Sequence, residues 1–227
     1  MLGQAGSAAA GAVVGQAAAA SVERQRCDDV VEAVARQEPR IRWAAGIRSD
    51  GSTVLVTDLA GGWIPPGIGI PADVTLPDPG SFIPGQTLQD LLGDNEFASR
   101  YALGEQLGDT PPDLSDSPRT VEPVPTLARD LREAAEWRNH LPVIAHTLAK
   151  SWALGGGARP MEIEQLHNAL DAQRAMVLDS YHAGDTDMHA AGNWMLLAAI
   201  DAAHAGQPEL AAYHFRWFDA TQEIRTE

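Results

Sequence analysis

The chain contains few cysteine, lysine and aromatic residues, and each shortage narrows what the protein can be. Cys27 is the only cysteine among 227 residues, so neither an intramolecular disulfide nor a cysteine-based zinc cage can form. Aromatic residues make up 6% of the chain, whereas alanine alone accounts for 38 residues. Because bulky apolar side chains are scarce, we expect thin cores and helix-rich packing.

Positive charge is also scarce. The chain has 16 Lys and Arg residues against 31 Asp and Glu residues, which gives a formal net charge of -15. This balance repels nucleic acid and anionic lipid, so we expect no nucleic-acid partner. The sequence also lacks a run of about twenty strongly apolar residues and a secretory signal, and it therefore predicts no transmembrane segment.

The first twenty residues consist mainly of alanine and glycine and carry no charge. We interpret residues 1–20 as a flexible Ala/Gly linker. The position of this linker suggests that the chain is the C-terminal part of a longer protein.

Residues 21–107 predict an α+β domain. A helical pattern covers residues 21–37, and alternation of apolar and polar residues predicts strands at 40–48 and 53–59. A two-residue turn at Asp50 and Gly51 would join these strands and place Trp43 opposite Asp58. A third strand at 72–76 and short helices at 87–92 and 95–107 complete the prediction.

The rest of the chain divides into a linker and a helical domain. Residues 108–125 contain five prolines and four acidic residues, which is typical of an extended linker. Residues 126–227 predict an up-and-down helical bundle, because prolines at first-turn positions and glycines at C-cap positions punctuate the pattern. The predicted helices cover residues 126–138, 141–154, 160–182, 187–205 and 207–222.

All seven histidines lie in the helical half, which raises the possibility of a metal site. Glu164 and His167 share one helical face, Asp201 and His204 share another, and the four side chains could converge on iron, manganese or zinc. Such a site would permit oxidase-like chemistry. The alternative is that Glu164 faces solvent and that His204 interacts with the negative end of its own helix.

Other catalytic signatures are weak. Asp58 could act as the general base of a hydrolase, or it could close the turn before Gly61 and Gly62 by bonding to backbone amides. The sequence contains no G-x-S-x-G, Walker loop, G-x-G-x-x-G or H-E-x-x-H motif. We therefore favour a protein without enzymatic activity and without a cofactor.

Two apolar clusters predict contact with a protein partner. One is a stiff Pro- and Gly-rich surface loop, and the other covers more than one face of the last helix. The alternative is that these clusters meet the other domain. The candidate partner-binding residues are Trp63, Ile64, Pro65, Pro66, Tyr213, Phe215, Trp217 and Phe218.

Two stretches of sequence resemble known families. The runs RWAAGIRSDG, TVLVTDLA and GWIPP resemble a mycobacterial domain of unknown function. The helical runs HLPVIAHTLAKSWALGGG and LHNALDAQRAMVLDSYHAGD resemble a second uncharacterised domain that accompanies it. The resemblance implies a mycobacterial protein that is secreted or envelope-associated and connected with type VII secretion. It implies no catalytic or binding residue, and we expect a non-enzymatic protein-interaction module of two domains.

Overall fold

The computed structural model describes residues 8–83, 85–109, 111–112, 116–117, 119, 121 and 123–223. The first half of the chain forms a small mixed sheet flanked by helices, and the second half is entirely helical. The elements in chain order are α1 (Ala8–Gln37), β1 (Trp43–Ile47), β2 (Thr53–Thr57), β3 (Ile70–Pro71), β4 (Val74–Thr75), α2 (Leu88–Leu92), β5 (Phe97–Tyr101), β6 (Asp116–Ser117), α3 (Leu127–Trp137), α4 (Val143–Ala153), α5 (Pro160–His182), α6 (Met188–His204) and α7 (Pro208–Glu223). This arrangement confirms the predicted α+β fold class.

Helix α1 begins well before the predicted start at residue 21. The linker prediction was therefore wrong for residues 8–20, and residues 1–7 lie outside the described part of the chain. Alanine has the highest intrinsic helix propensity, which explains why an alanine-rich segment extends the helix. Further along α1, the predicted apolar stripe of Cys27, Val30, Val31 and Val34 is buried.

The central hairpin forms as predicted, but its register differs by one residue. Trp43 pairs with Thr57 and Ile47 with Thr53, so Trp43 does not face Asp58. The reason is a three-residue loop closed by a hydrogen bond from Arg48 N to Ser52 O. Gly51, at φ 81°, occupies the left-handed position that such a loop requires.

A four-stranded sheet is built around this hairpin in the order β4-β2-β1-β5. The prediction of a helix at 95–107 was wrong, because β5 pairs antiparallel with the open edge of β1. A single hairpin cannot bury its own surface, and edge pairing outweighs the local helical pattern. The predicted third strand is present as the short β4, which pairs parallel with β2.

Both faces of the sheet are covered. Odd-numbered residues such as Trp43, Ala45 and Leu55 belong to the main core, to which α1 contributes. Even-numbered residues, including Ala44 and Val56, form a second small core with Leu92 of α2. The alternation predicted for β1 is therefore correct for the apolar face, although the opposite face is also largely buried.

The five predicted helices of the second half are all present. Helix α6 occupies the centre of the bundle, where it contacts α3, α4, α5 and α7. All residues of α6 from Ala190 to Ile200 are buried, which is consistent with the absence of charge in that segment. Trp194 and Trp217 lie in the core, Trp152 is partly buried and Trp137 is 81% exposed.

The two halves share one apolar core. Its buried residues come from α1, β1 and β2 as well as from α3, α4, α5, α6 and α7. Among the described residues, no helix combines the length and the apolar character needed to cross a membrane.

Candidate functional site

The two apolar clusters predicted to bind a partner are buried against each other. Trp63 and Ile64 have no exposed surface, and Tyr213 and Trp217 are 1% exposed. The indole Nε1 of Trp63 donates to Nδ1 of His214 at 3.1 Å, and the amide of Ile64 donates to the Tyr213 hydroxyl at 3.1 Å. Phe215, Phe218 and Pro65 are buried as well, whereas Pro66 is partly exposed.

The expectation that these residues form an exposed surface was therefore wrong. Each cluster appeared unpartnered because the sequence shows one element at a time, whereas the loop and α7 cover each other in the fold. The alternative, contact between the two halves, is what the structure shows. We call the contact formed by Trp63, Arg119, Tyr213 and His214 the inner joint.

Arg119 lies at the centre of the inner joint and is 8% exposed. Its guanidinium donates to three backbone carbonyls, those of Ile64 at 3.3 Å, Pro65 at 2.8 Å and Ile68 at 2.8 Å. It also lies over the ring of Tyr213, 5.2 Å from the centroid. Burial lowers the pKa of Arg119. Carbonyl oxygens and an aromatic face thus surround this cation, and Arg119 ties the predicted linker to the loop that contains Trp63.

His214 is held in its neutral form. Because its Nδ1 accepts the hydrogen bond from Trp63, that nitrogen carries no proton. Burial, and then the nearby charge of Arg119, hold the pKa of His214 well below the usual value of 6.5. The inner joint is consequently a structural contact that contains a neutral imidazole in the neutral pH range.

A second contact between the halves contains the candidate base Asp58. The Tyr181 hydroxyl donates to Asp58 Oδ1 at 2.5 Å and accepts hydrogen bonds from the backbone N and the Nε of Arg42, both at 3.0 Å. Arg42 Nε also lies 3.0 Å from Asp58 Oδ2. We call these three residues the open joint, because Arg42 and Asp58 both line a surface cavity.

The alternative role predicted for Asp58, closing the turn before Gly61, was wrong. Asp58 precedes a short 3₁₀ turn, but its side chain makes no capping hydrogen bond there. The side chain of Asp58 instead reaches Tyr181 of α5 and lines the cavity with Arg42. Its partner Tyr181 is 123 residues away in the chain, so no local pattern could have revealed the pair.

The chemistry of the open joint gives little support to hydrolysis. Burial, and then the hydrogen bond to Asp58, raise the pKa of Tyr181 to about 12, so the phenol stays protonated near neutral pH. Both Asp58 oxygens are engaged, one by Tyr181 and one by Arg42. Within the described residues, neither histidine nor cysteine lines the adjoining cavities. Asp58 is thus committed to an ion pair and a hydrogen bond at this site rather than held free as a base.

Two of the four predicted metal ligands come together. His167 Nε2 lies 3.0 Å from Asp201 Oδ1, whereas His204 Nε2 lies 3.0 Å from the Leu148 carbonyl oxygen and Glu164 is exposed. The described part of the chain contains no group of three or more His, Cys, Asp or Glu side chains that could hold a metal ion. The metal site stays a prediction, with one hydrogen-bonded His–Asp pair at its proposed position.

An exposed apolar face lies elsewhere on the helical half. Among the described residues, five large apolar side chains are at least 70% exposed, and four of them lie between positions 137 and 161: Trp137 at 81%, Val143 at 80%, Leu154 at 74% and Met161 at 70%. Val143 and Met161 also line a cavity of about 650 Å³ between α4 and α5. We call these four residues the α4–α5 face.

Sequence reasoning missed the α4–α5 face, although a signal was present. Val143 and Leu154 lie eleven positions apart, which is about three helical turns, so they fall on one side of α4. The buried stripe of this helix is formed by Ala145, Leu148 and Ala149. Two exposed apolar residues at the two ends of the side opposite this stripe, with the exposed Thr147 and Lys150 between them, indicate a surface that the bundle itself does not cover.

Each half of the chain matches a known protein family. Residues 21–103 match the family of unknown function DUF5632, and residues 124–221 match the family of unknown function DUF5631. The uncharacterized protein Rv2082 of Mycobacterium tuberculosis H37Rv is 36% identical over 211 residues, which cover 90% of this chain and 29% of that protein. The chain thus spans less than a third of that relative's length.

A solved structure has the same fold. A fragment of the conserved hypothetical protein Rv3899c from Mycobacterium tuberculosis superimposes with a TM-score of 0.85 at 39% identity, covering 91% of this chain and 98% of the fragment. The resemblance noted in the sequence is thereby confirmed at the level of the family. The chain belongs to the family of mycobacterial proteins of unknown function that carry these two regions in tandem.

Proposed function

We propose that the chain is a non-enzymatic protein-interaction module that binds its partner through the α4–α5 face. The observation that carries this proposal is the concentration of four highly exposed apolar side chains within 25 residues. Exposed apolar surface of this kind usually marks a contact with another protein. A tryptophan at such a surface is the residue type most often found to dominate binding energy.

The partner segment that fits this face best is a basic amphipathic helix. Val143 and Leu154 lie on one side of α4 over about 16 Å, which matches three turns of a docked helix. Glu133, Glu136 and Glu164 are exposed on the helices that carry the face, and the one arginine in the cavity lining, Arg159, is paired with Glu162. Lys150 of α4 is exposed as well. The three exposed glutamates, together with the net charge of -15, favour a partner whose apolar face is bordered by Lys and Arg.

Affinity capture with matched variants tests this proposal. The face variant changes three residues of the α4–α5 face: Trp137→Ala, Val143→Ser and Met161→Ser. The control variant carries Val22→Ser and Ile83→Ser, which remove exposed apolar surface elsewhere. We expect the wild type and the control variant to retain a mycobacterial protein from culture filtrate or envelope fractions, and the face variant to lose it. Equal retention by all three proteins would contradict the proposed face.

Fluorescence of Trp137 provides a direct second measurement. Trp43, Trp63, Trp194 and Trp217 are buried and Trp152 is partly buried, so acrylamide should quench Trp137 most strongly. Binding of a basic amphipathic peptide should reduce quenching in the wild type and have a much smaller effect on the Trp137→Phe variant, in which Trp152 is the most exposed tryptophan that remains. Unchanged quenching at a saturating concentration of a captured partner would place its contact elsewhere.

We further propose that the module acts in the cell envelope or outside the cell, in connection with type VII secretion. The resemblance described above supports this location. Fractionation of a mycobacterial strain expressing the tagged full-length protein tests it, with a cytosolic enzyme as the marker for lysis. Recovery of the tag only in the cytosol would contradict the proposal.

A further inference from the structure

A pair of joined cavities lies beside the open joint, between the sheet half and the helical half. The first cavity is about 460 Å³ and the second about 350 Å³. They share Asp58, Gln86, Gly184 and Thr186, so they adjoin each other, and we refer to the two together as the cleft. Volumes in this range suit a small-molecule ligand.

Two arginines face the first cavity from the same side of the sheet. Arg100 pairs with Ala44 across β1 and β5, and Arg42 lies two positions before Ala44, so both belong to the face of even-numbered β1 residues. Helix α2 covers Ala44 and Val56 on this face but leaves the end with Arg42 and Arg100 open. The fold thereby places two guanidinium groups at the wall of one cavity.

Both guanidinium groups keep donors for a ligand. Arg42 bonds through its backbone N and its Nε, and in the part of the chain that the structure describes no hydrogen bond occupies its terminal nitrogens. Arg100 donates from Nη2 to Gln89 and, within the described residues, has no carboxylate partner. Paired guanidinium donors of this kind recognise a carboxylate or a phosphate group.

The second cavity has a different lining. Ala60, Phe82 and Met188 give it an apolar wall, and it is reached past Asp58 and Thr186. Asp58 and Asp185 also contribute negative charge to the cleft, which balances Arg42 and Arg100. A group with two negative charges is therefore disfavoured relative to a single carboxylate.

We propose that this cleft binds a small monocarboxylate that carries an apolar chain. Arg42 and Arg100 hold the carboxylate, and the apolar chain extends toward Phe82 and Met188. The net charge of -15 repels anions at long range, but physiological salt screens this repulsion over about 8 Å, so the two nearby arginines dominate at the site. The site is separate from the α4–α5 face and does not depend on the function proposed for it.

Calorimetric titration with sodium octanoate tests this site. We expect saturable binding of octanoate to the full chain, with octanamide at least tenfold weaker because it lacks the charge that guanidinium groups recognise. Arg100→Gln should weaken octanoate binding by about tenfold. Arg48→Gln, the same substitution at the opposite end of β1, should leave it unchanged.

The length of the ligand's hydrocarbon chain tests the apolar end of the proposed site. Met188→Ser should reduce the advantage of octanoate over butyrate, because only the longer chain reaches Met188. Equal binding of octanoate and octanamide, or equal binding by the wild type and Arg100→Gln, would overturn the proposal. Absence of saturable binding at millimolar octanoate would overturn it as well. Arg42→Gln is not used alone, since it also removes contacts to Asp58 and Tyr181.

Discussion

The inner joint and the open joint connect the same two halves of the molecule in different ways. In the inner joint, Arg119 is buried and surrounded by carbonyl oxygens and the ring of Tyr213. In the open joint, Arg42 is partly exposed, is paired with Asp58 and lines a cavity. A cavity of about 510 Å³ adjoins Arg119 as well. The Arg119 guanidinium, however, is bonded to three backbone carbonyl oxygens and stabilises the fold, whereas the open joint leaves polar atoms available for binding.

This difference predicts different energetic consequences of mutation. A buried polar group that loses its partner keeps the full cost of its desolvation, because water cannot replace the missing hydrogen bond. At a partly exposed contact, water replaces most of what is removed. Substitutions in the inner joint should therefore reduce stability far more than those in the open joint.

The largest effect is expected for Trp63→Ala. This change removes a fully buried indole that packs edge-on against Trp194 at 4.9 Å and leaves His214 without its donor. The free energy of unfolding should fall by about 4 kcal/mol in urea denaturation. A loss below about 1 kcal/mol would show that the two halves do not depend on this contact.

The second-largest effect is expected for Arg119→Ala. The free energy of unfolding should fall by about 3 kcal/mol, because three carbonyl oxygens lose their hydrogen-bond donors. Arg129→Ala, at a guanidinium that is 59% exposed, should change stability by less than about 0.5 kcal/mol. Arg119→Met restores volume but no donor and should remain destabilised. Wild-type stability of Arg119→Met would contradict the role assigned to the carbonyl contacts.

An intermediate effect should appear in the pH dependence of stability. His214 has a pKa well below 6.5 in the folded protein, so below pH 6.5 the unfolded chain takes up a proton that the folded protein does not. Neutral His214 therefore makes its full contribution to the free energy of unfolding above pH 6.5. Below pH 6.5 this contribution decreases, by no more than about 1.4 kcal/mol per pH unit. Urea denaturation from pH 7.5 to 5.5 should show this slope in the wild type and a smaller slope in His214→Gln. Identical slopes would show that His214 titrates normally.

The smallest effect is expected in the open joint. Tyr181→Phe removes the hydroxyl that bridges Arg42 and Asp58, but their direct ion pair remains and both side chains are partly solvent-exposed. The expected loss of unfolding free energy is about 1 kcal/mol. A loss as large as that of Arg119→Ala would remove the distinction between the two joints.

Local sequence patterns predicted the helical half well and the sheet half less well. The limits of α5 were correct because Pro160 and Gly184 punctuate a clear pattern, and proline and glycine act through local backbone geometry. The strand β5 was mistaken for a helix because its stability comes from pairing with β1, about fifty residues away. The predicted register of the hairpin was wrong by one residue, because the prediction assumed a two-residue loop of Asp50 and Gly51 and the loop also contains Ser49.

The candidate site was predictable only in part. Asp58 was identified as an unusual carboxylate, but its partner Tyr181 comes from the other half of the chain. Trp63 and Tyr213 were correctly recognised as belonging to apolar clusters without a local partner. The sequence could not show that these two clusters contact each other, because the periodicity of a sequence describes a single element and not the surface against which that element packs.

Arg119 belongs to neither of the two matched regions, which end at residue 103 and begin again at residue 124. Yet its guanidinium holds the loop of one region beneath the last helix of the other. A gene fragment that encoded either region alone would lose this residue and expose Trp63 or Tyr213 to water. For recombination between genes and for protein engineering, the smallest transferable unit is therefore the pair of regions together with the segment that joins them.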